Sequence, residues 1–91
     1  MASNDKFEKA VLIVRGLNKK LNNEDILQLY AFFKQAREGN IAFERPSILN
    51  MRGRAMWGAW NKIKNMSKEA AMIKYIKLAY KLTELEELKL D

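Results

Sequence analysis

Apolar residues recur every three or four positions along most of this chain, a spacing typical of amphipathic helices. In the first segment with this period, Ser3 or Asn4 can cap the start, and Gly16 lies near the end. The apolar positions between them are Phe7, Ala10, Val11, Val14 and Leu17. The pattern predicts a first helix over residues 4–16 with one buried face.

The second periodic segment has the clearest boundaries. Asn22 or Asn23 can cap its start, and Glu24 and Asp25 complement the positive end of a helix dipole. Gly39 can stop the helix because glycine readily adopts the left-handed conformation that ends many helices. One stripe of this segment contains Ile26, Leu29, Tyr30, Phe33 and Arg37. We expect a second helix over residues 23–38.

A connection over residues 40–49 follows, with the only proline of the chain and no sustained period. Beyond it, a third helix is predicted over residues 51–64. Gly53 and Gly58 each cost about 1 kcal/mol relative to alanine inside a helix. Packing against the rest of the protein must therefore stabilise this element.

Ser67 can cap a fourth helix, predicted over residues 67–86. Its acidic end, which contains Glu84, Glu86 and Glu87, is expected to fray. Because the connection between the third and fourth helices is short, we expect these two helices to be antiparallel neighbours.

These elements predict an all-α protein, a four-helix bundle formed by a single domain over residues 1–91. No useful stretch alternates between apolar and polar residues as a strand would. Since no heptad seam is visible, we expect a monomer. No apolar run approaches the roughly 20 residues that span a bilayer, and the chain does not begin like a signal peptide. We therefore expect a cytoplasmic location.

Positive charge is concentrated in residues 46–80, called the basic segment below. This segment has seven bases against one acid, while the whole chain carries a net charge of +6, so the rest of the chain is balanced. Phosphates attract lysine and arginine, and planar groups stack on aromatic rings, so the mixture suits an anionic and flat ligand. The bases and rings are Arg52, Arg54, Lys62, Lys64, Lys68, Lys74, Lys77, Trp57, Trp60, Tyr75 and Tyr80.

The composition excludes several classes of function. The chain contains neither cysteine nor histidine, which rules out thiolate and imidazole ligands for a metal and an imidazole general base. Glu69 is the only acid in the basic segment, so catalysis by paired carboxylates has little support. We expect a binding protein that is not an enzyme and uses no metal or cofactor.

Tyr30, Phe33 and Lys34 place two rings and an ammonium group on adjoining turns of the second helix. A base can stack there while a phosphate meets the lysine, but the same spacing also fits two core rings beside a solvated lysine. Trp57 and Trp60 share one face of the third helix, where core packing is the preferred interpretation.

Several short motifs occur in one order, without a gap, from about Phe7 to Tyr80. The motifs are Tyr30, residues 33–36, 39–41, 44–46, the MWGAW run at 56–60, residues 67–69, Ala71, Met72 and Tyr75. In this order and spacing, the chain resembles the acyl-CoA-binding protein family. The resemblance favours a binding role over a core role for Tyr30, Lys34 and Tyr75.

The resemblance implies an up-down-down-up bundle that binds medium- to long-chain acyl-CoA esters without reacting with them, as an intracellular carrier and pool former. Tyr30 and Lys34 match family positions that hold the adenosine 3'-phosphate region, and Tyr75 matches another contact to the CoA head group. Arg15 and Arg52 stand where the family commonly has lysine, which keeps the charge. Positions that line the acyl groove of the family lie near Ile26, Leu27 and Ala55.

Some positions depart from the family pattern. Phe33 replaces the usual tyrosine, which keeps a ring for adenine but loses a hydroxyl. Met56 replaces a lysine directed at the nucleotide, and we expect Arg52, on the same helical face, to compensate in part. Leu12 and Ile13 stand where charge is common, either as extra apolar residues or as a docking patch for a membrane or partner.

Two other functions fit the basic segment. A nucleic-acid-binding module would use the same bases and rings, but here the bases lie on two helices and not on one recognition helix. An anionic membrane surface would suit Lys74, Lys77 and Lys81, although the acidic tail opposes it. The expected partner is therefore long-chain acyl-CoA and not nucleic acid, with transient contact to a membrane or to an enzyme that uses acyl-CoA.

Overall fold

Four α-helices form most of the chain in a computed structural model that describes residues 2–90, with side chains over residues 4–90. The helices are α1 (Ala2–Arg15), α2 (Asn23–Glu38), α3 (Met51–Lys62) and α4 (Lys68–Thr83), followed by a 3₁₀ turn over Glu86–Leu88. Within residues 2–90 no strand occurs. No helix in this range has the length and apolar character needed to cross a membrane. The all-α prediction is confirmed.

The bounds of α2 coincide with the range expected from its end signals. The backbone N–H of Asp25 donates to Asn22 Oδ1 at 2.8 Å, which makes Asn22 the N-cap. At the other end, Gly39 has a φ of 80°, a conformation that residues with a side chain rarely adopt. Local signals were therefore sufficient to define this helix.

The other helices differ from their predicted ranges at the ends. α1 begins at Ala2, so Ser3 and Asn4 lie inside the helix and the prediction that one of them caps it is wrong. α3 ends at Lys62 instead of residue 64. Ser67 caps α4 as expected, since its Oγ accepts from the N–H of Ala70 at 3.0 Å.

Contacts between side chains establish the direction of each helix. Glu8 in the middle of α1 pairs with Arg37 near the end of α2 at 2.8 Å, whereas Arg15 at the end of α1 lies over the ring of Phe33, earlier in α2, so these helices are antiparallel. Asn23 and Met51, the first residues of α2 and α3, line the same depression, so α3 runs parallel to α2. Gln35, near the end of α2, donates to the backbone just before α4, so α4 returns antiparallel to α2. The result is the up-down-down-up order.

The helix α2 lies between the last two helices. It packs against both α3 and α4, while α1 packs against α4. The prediction that α3 and α4 are packed neighbours is therefore wrong. Their short connection is anchored to the end of α2, where the N–H of Asn65 donates to Asn40 Oδ1 at 2.7 Å. The chain thus passes across the end of α2 and does not fold back along α3.

A buried amide fixes α3 against α2. Gln35 is only 1% exposed, and its Nε2 donates to Met66 O at 2.7 Å and to Asn40 Oδ1 at 3.0 Å. Its Oε1 accepts from Trp60 Nε1 at 2.9 Å, and the same indole N–H also reaches Gly39 O at 3.0 Å. Because its donor and acceptor both have partners, burial of this amide costs little free energy. The amide links α2 to α3 and to the segments that follow α2 and precede α4.

The C-terminal tail is ordered, and the prediction that it frays is wrong. α4 ends at Thr83, three residues before the predicted end, and Leu88 in the following 3₁₀ turn is completely buried against the core. Lys9 pairs with Glu87 at 3.2 Å, and Lys6 Nζ donates to Lys89 O at 3.0 Å. Burial of an apolar side chain thus holds an acidic tail against the basic residues of α1.

Candidate functional site

A small cavity lies where α1, α2 and α4 meet. Its volume is about 130 Å³, and its lining residues are Val11, Arg15, Leu29, Tyr30, Phe33 and Tyr75. The structure therefore brings together four of the six residues predicted to bind a CoA head group. Val11 and Leu29 had been assigned only to apolar stripes. Each lies one helical turn before another lining residue, a spacing that could have identified them.

Aromatic packing holds the cavity wall in place. The Phe33 and Tyr75 ring centroids are 6.5 Å apart, and both rings contact Phe7, whose centroid lies 6.3 Å from Phe33 and 5.3 Å from Tyr75. Phe7 is completely buried. A core residue from α1 thus positions one ring from α2 and one from α4 beside the cavity.

Two guanidinium groups lie over the Phe33 ring. The Cζ of Arg15 is 5.7 Å from the ring centroid, and that of Arg37 is 4.9 Å away. Arg37 also pairs with Glu8, whereas Arg15 has no acidic partner within residues 4–90. Arg37 was not predicted as a site residue, although its position four residues after Phe33 could have indicated it. Arg15 therefore leaves an uncompensated positive charge at the cavity.

Tyr75 presents a neutral hydroxyl to the cavity. Burial raises the pKa of Tyr75 to about 12, and the nearby Arg15 charge opposes this rise only in part. The side chain makes no hydrogen bond to another residue in the described part of the chain. Near neutral pH, the hydroxyl is therefore protonated and available to donate to a ligand oxygen.

The raised pKa of Tyr75 predicts a loss of stability at alkaline pH. Above about pH 10 the unfolded chain loses this proton first, so the free energy of unfolding falls until the folded protein also ionises near pH 12. A two-unit difference corresponds to about 2 to 3 kcal/mol. Denaturant unfolding at several pH values should show this decline for the wild type and a smaller decline for Tyr75→Phe. Parallel declines for the two proteins would contradict the assignment.

Lys34 lies beside the cavity and not in its lining. Its Nζ is 5.3 Å from the centroid of the Trp60 ring, and it forms an ion pair with Glu38 one turn further along α2. The Trp60 ring in turn meets the edge of Tyr30 at a centroid distance of 6.4 Å. Lys34 is thus close to the Tyr30 ring, but its ammonium group is already paired with the carboxylate of Glu38.

The three predicted acyl-groove residues meet in a second depression, called the α2–α3 mouth below. It has a volume of about 270 Å³ between the first turns of α2 and α3. Arg52 lies here and not at the small cavity, so the structure separates it from Arg15, Tyr30, Phe33 and Tyr75. The lining residues are Asn23, Ile26, Leu27, Met51, Arg52 and Ala55.

The α2–α3 mouth and the small cavity are neighbours along α2. Ile26 in the mouth and Tyr30 in the cavity are four residues apart, about 6 Å along the helix axis. The cavity is smaller than the 300 to 1,000 Å³ usual for sites that enclose a small molecule. It is therefore large enough for only part of such a molecule, and the mouth lies one helical turn away.

Met56, Leu12 and Ile13 were singled out as departures from the family pattern. Met56 is half-buried and lines neither the cavity nor the mouth. Ile13 packs partly against the core, whereas Leu12 is 69% exposed. The two adjacent residues therefore do not form one exposed patch.

Comparisons with known proteins identify the family of this chain. A family model described as "Acyl CoA binding protein" matches residues 4–79. An acyl-CoA-binding protein homolog from Drosophila melanogaster is 43% identical over 72 residues, which cover 79% of this chain and 84% of that protein.

Solved structures of the same family have a similar fold. The crystal structure of acyl-CoA-binding protein 2 from Oryza sativa superposes with a TM-score of 0.89 at 37% identity, covering 92% of this chain and 91% of the other. A structure of the same family from Moniliophthora perniciosa gives a TM-score of 0.81 at 35% identity, covering 93% and 87% of the two chains. The chain therefore belongs to the acyl-CoA-binding protein family.

Proposed function

We propose that this protein binds medium- to long-chain acyl-CoA esters without chemical reaction and serves as their carrier and pool former. Membership of the acyl-CoA-binding protein family supports this function. The observation that carries the proposal is the cavity lined by Arg15, Tyr30, Phe33 and Tyr75, one helical turn from the apolar α2–α3 mouth. A cationic aromatic surface beside an apolar groove complements a ligand with an anionic nucleotide at one end and a hydrocarbon chain at the other.

We assign the CoA head group to the small cavity and its surroundings. Arg15 and Lys34 would contact phosphate oxygens, Phe33 would pack against adenine, and the hydroxyls of Tyr30 and Tyr75 would donate hydrogen bonds. Each hydrogen bond between a charged pair contributes roughly 1.5 to 3 kcal/mol. The head group would thus provide specificity and make binding sensitive to salt.

The hydrocarbon chain would occupy the α2–α3 mouth against Ile26, Leu27 and Ala55. Burial of each methylene contributes about 0.8 kcal/mol, so eight of them contribute on the order of 6 kcal/mol. Arg52, which also lines the α2–α3 mouth, would lie at the junction between the hydrocarbon chain and the phosphates of the head group. Together the two halves place the expected dissociation constant between about 1 nM and 1 μM.

Contact with an anionic membrane remains a prediction, and one surface favours it. Ile48, Leu49 and Met51 are 71%, 92% and 76% exposed, and Met51 also lines the α2–α3 mouth. Exposed apolar residues next to Arg52 suit a transient contact with anionic lipid at the edge of the α2–α3 mouth. The monomeric state, the cytoplasmic location, a partner enzyme and the lack of catalytic activity also remain predictions.

Calorimetric titration with palmitoyl-CoA, free CoA and a single-stranded oligonucleotide tests the proposed function. We expect tight one-to-one binding of palmitoyl-CoA and weaker binding of free CoA, because free CoA lacks the chain that the mouth would bury. The oligonucleotide is expected to bind more weakly still and to lose affinity steeply with salt. Tighter binding of the oligonucleotide than of palmitoyl-CoA would favour the nucleic-acid alternative.

A further inference from the structure

Methionine provides all of the sulfur in this chain. The sequence has five methionines and no cysteine, so no thiol of the protein competes with the thioethers for an oxidant. Peroxides convert methionine to its sulfoxide, and an exposed sulfur reacts more readily than a buried one. The exposure of each methionine therefore decides where a peroxide modifies this protein.

One methionine differs from the others in its exposure. Met51, the first residue of α3, is 76% exposed. The other methionines within residues 4–90 are half-buried, namely Met56, Met66 and Met72. Two of these, Met66 and Met72, pack against the core. In this part of the chain, Met51 is thus the methionine that an oxidant in solution reaches most easily.

The exposed thioether also lies at a binding surface. Met51 lines the α2–α3 mouth together with Asn23, Ile26 and Leu27 of α2. A thioether is flexible and polarisable, so it adapts to an irregular apolar partner such as a hydrocarbon chain. The proposed function places such a chain in the mouth, where it would cover Met51. The sulfur that is open to solvent in the free protein is therefore at a position where its polarity affects the ligand.

Oxidation changes the chemistry of this wall of the mouth. Hydrogen peroxide transfers one oxygen atom to the sulfur, which supplies the electron pair of the new S–O bond. The O–O bond breaks and the remaining oxygen leaves as water, so the sulfur loses two electrons and the peroxide gains two. The product is a polar, chiral sulfoxide. Because burial of a polar group against hydrocarbon costs free energy, the modified mouth holds an acyl chain less tightly.

We propose that Met51 is a redox-sensitive modification site, at which a hydroperoxide forms methionine sulfoxide and lowers the affinity of the α2–α3 mouth for a hydrocarbon chain. This inference rests on the proposed function, because it requires the chain to lie in the mouth. It adds a means of releasing acyl-CoA esters under oxidising conditions. The release is reversible, since thiol-dependent methionine sulfoxide reductases restore the thioether.

Peptide mapping by mass spectrometry after brief treatment with hydrogen peroxide tests the location of the site. In the free protein, Met51 is expected to gain oxygen at least about threefold faster than Met56, Met66 or Met72. Saturating palmitoyl-CoA, whose sulfur is a thioester and not a thiol, is expected to slow the oxidation of Met51. Faster oxidation of a half-buried methionine, or an equal rate at Met51 with and without bound palmitoyl-CoA, would overturn the inference.

Calorimetry after removal of the peroxide tests the effect on binding. The oxidised protein is expected to bind palmitoyl-CoA about threefold or more weakly, with its affinity for free CoA unchanged because free CoA has no chain in the mouth. Treatment with both methionine sulfoxide reductases, one for each sulfoxide epimer, should restore the original affinity. Undiminished palmitoyl-CoA affinity in protein whose Met51 is fully oxidised would refute the site.

Two leucine variants assign the effect to one sulfur. The affinity of Met51→Leu for palmitoyl-CoA is expected to be the same before and after peroxide treatment. The matched Met56→Leu should remain sensitive, because Met56 lines neither the cavity nor the mouth. An equal loss of affinity in Met51→Leu would place the effect at another residue and contradict the inference.

Failure of the proposed function has a different signature. Untreated protein that binds free CoA as tightly as palmitoyl-CoA would contradict the placement of the chain in the mouth, before any oxidation. A clear preference for palmitoyl-CoA that persists after oxidation of Met51 would instead refute the modification site alone.

Discussion

Replacing Trp60 by alanine is expected to lower the free energy of unfolding by about 3 to 5 kcal/mol. Trp60 is 1% exposed and packs against Tyr30 and Phe43, with centroid distances of 6.4 and 5.9 Å. The substitution would leave a cavity and remove the hydrogen-bond donor that satisfies the buried Oε1 of Gln35. For a domain of this size, each kcal/mol lowers the melting temperature by about 4 to 8 °C.

Trp57→Ala is the matched control for this stability prediction. Trp57 lies on the same helix but is only half-buried, and its indole N–H donates to Phe43 O at 2.8 Å. We expect a smaller loss of about 1 to 2 kcal/mol, since less apolar area becomes exposed. Denaturant unfolding followed by circular dichroism measures the free energy of unfolding of both variants. Equal losses, or a loss below about 1 kcal/mol for Trp60→Ala, would contradict the role given to the Gln35–Trp60 pair.

Lys34→Ala is expected to weaken acyl-CoA binding at least tenfold, with helicity unchanged. The reason is the loss of a hydrogen bond between charged groups, worth roughly 1.5 to 3 kcal/mol, where about 1.4 kcal/mol corresponds to tenfold. The structure adds a second expectation that the sequence did not provide. Because Glu38 pairs with Lys34 in the unliganded protein, Glu38→Gln should free the ammonium group and tighten binding.

The control for the Lys34 prediction is Lys77→Ala. Lys77 is exposed on α4 and lines none of the depressions described above, so its removal changes the net charge by the same amount without touching the site. Calorimetry at one salt concentration compares all three variants. The assignment of Lys34 fails if a folded Lys34→Ala protein keeps wild-type affinity, or if Lys77→Ala loses as much.

Helix ends were predicted correctly where a capping residue or a glycine marks them in the sequence. Asn22 and Gly39 define the ends of α2 because a side-chain cap and a positive φ act within a few residues. The end of α4 was not predictable in this way. Leu88 is buried by contacts distant in sequence, and such contacts leave no periodic pattern in a tail of seven residues after Glu84.

The packing of α3 also depends on contacts that the sequence pattern does not contain. Gly53 was treated only as a cost to the helix, but a Cβ atom there would lie 2.4 Å from Asn50 Nδ2, the side chain that caps α3. Glycine is thus needed for the capping amide to approach the first turn. Gln35 was assigned no role, because nothing in its neighbours along the chain indicates a buried amide bonded to Trp60.

The candidate site was predictable in part. Tyr30 and Phe33 were identified together because they lie on adjoining turns of one helix, and the family resemblance added Arg15 and Tyr75 from two other helices. The position of Arg52 was not predictable, because the period of α3 assigns it to a helical face without indicating what that face meets, and the small cavity has no lining residue from α3. The sequence did not indicate the apolar depression of about 690 Å³ between α2 and α3, because it is formed by small residues such as Ala31, Gly58 and Ala59, which have no chemical signature of their own.

The most direct test of the proposed two-part site is calorimetry with saturated acyl-CoA esters from about eight to sixteen carbons, with free CoA as the reference. If the head group lies at the small cavity and the chain in the α2–α3 mouth, affinity should rise by up to about fourfold per methylene until the mouth is filled. Free CoA should bind more weakly than every ester. Equal affinity for free CoA and all the esters would contradict the account, because the apolar mouth would then contribute nothing to binding.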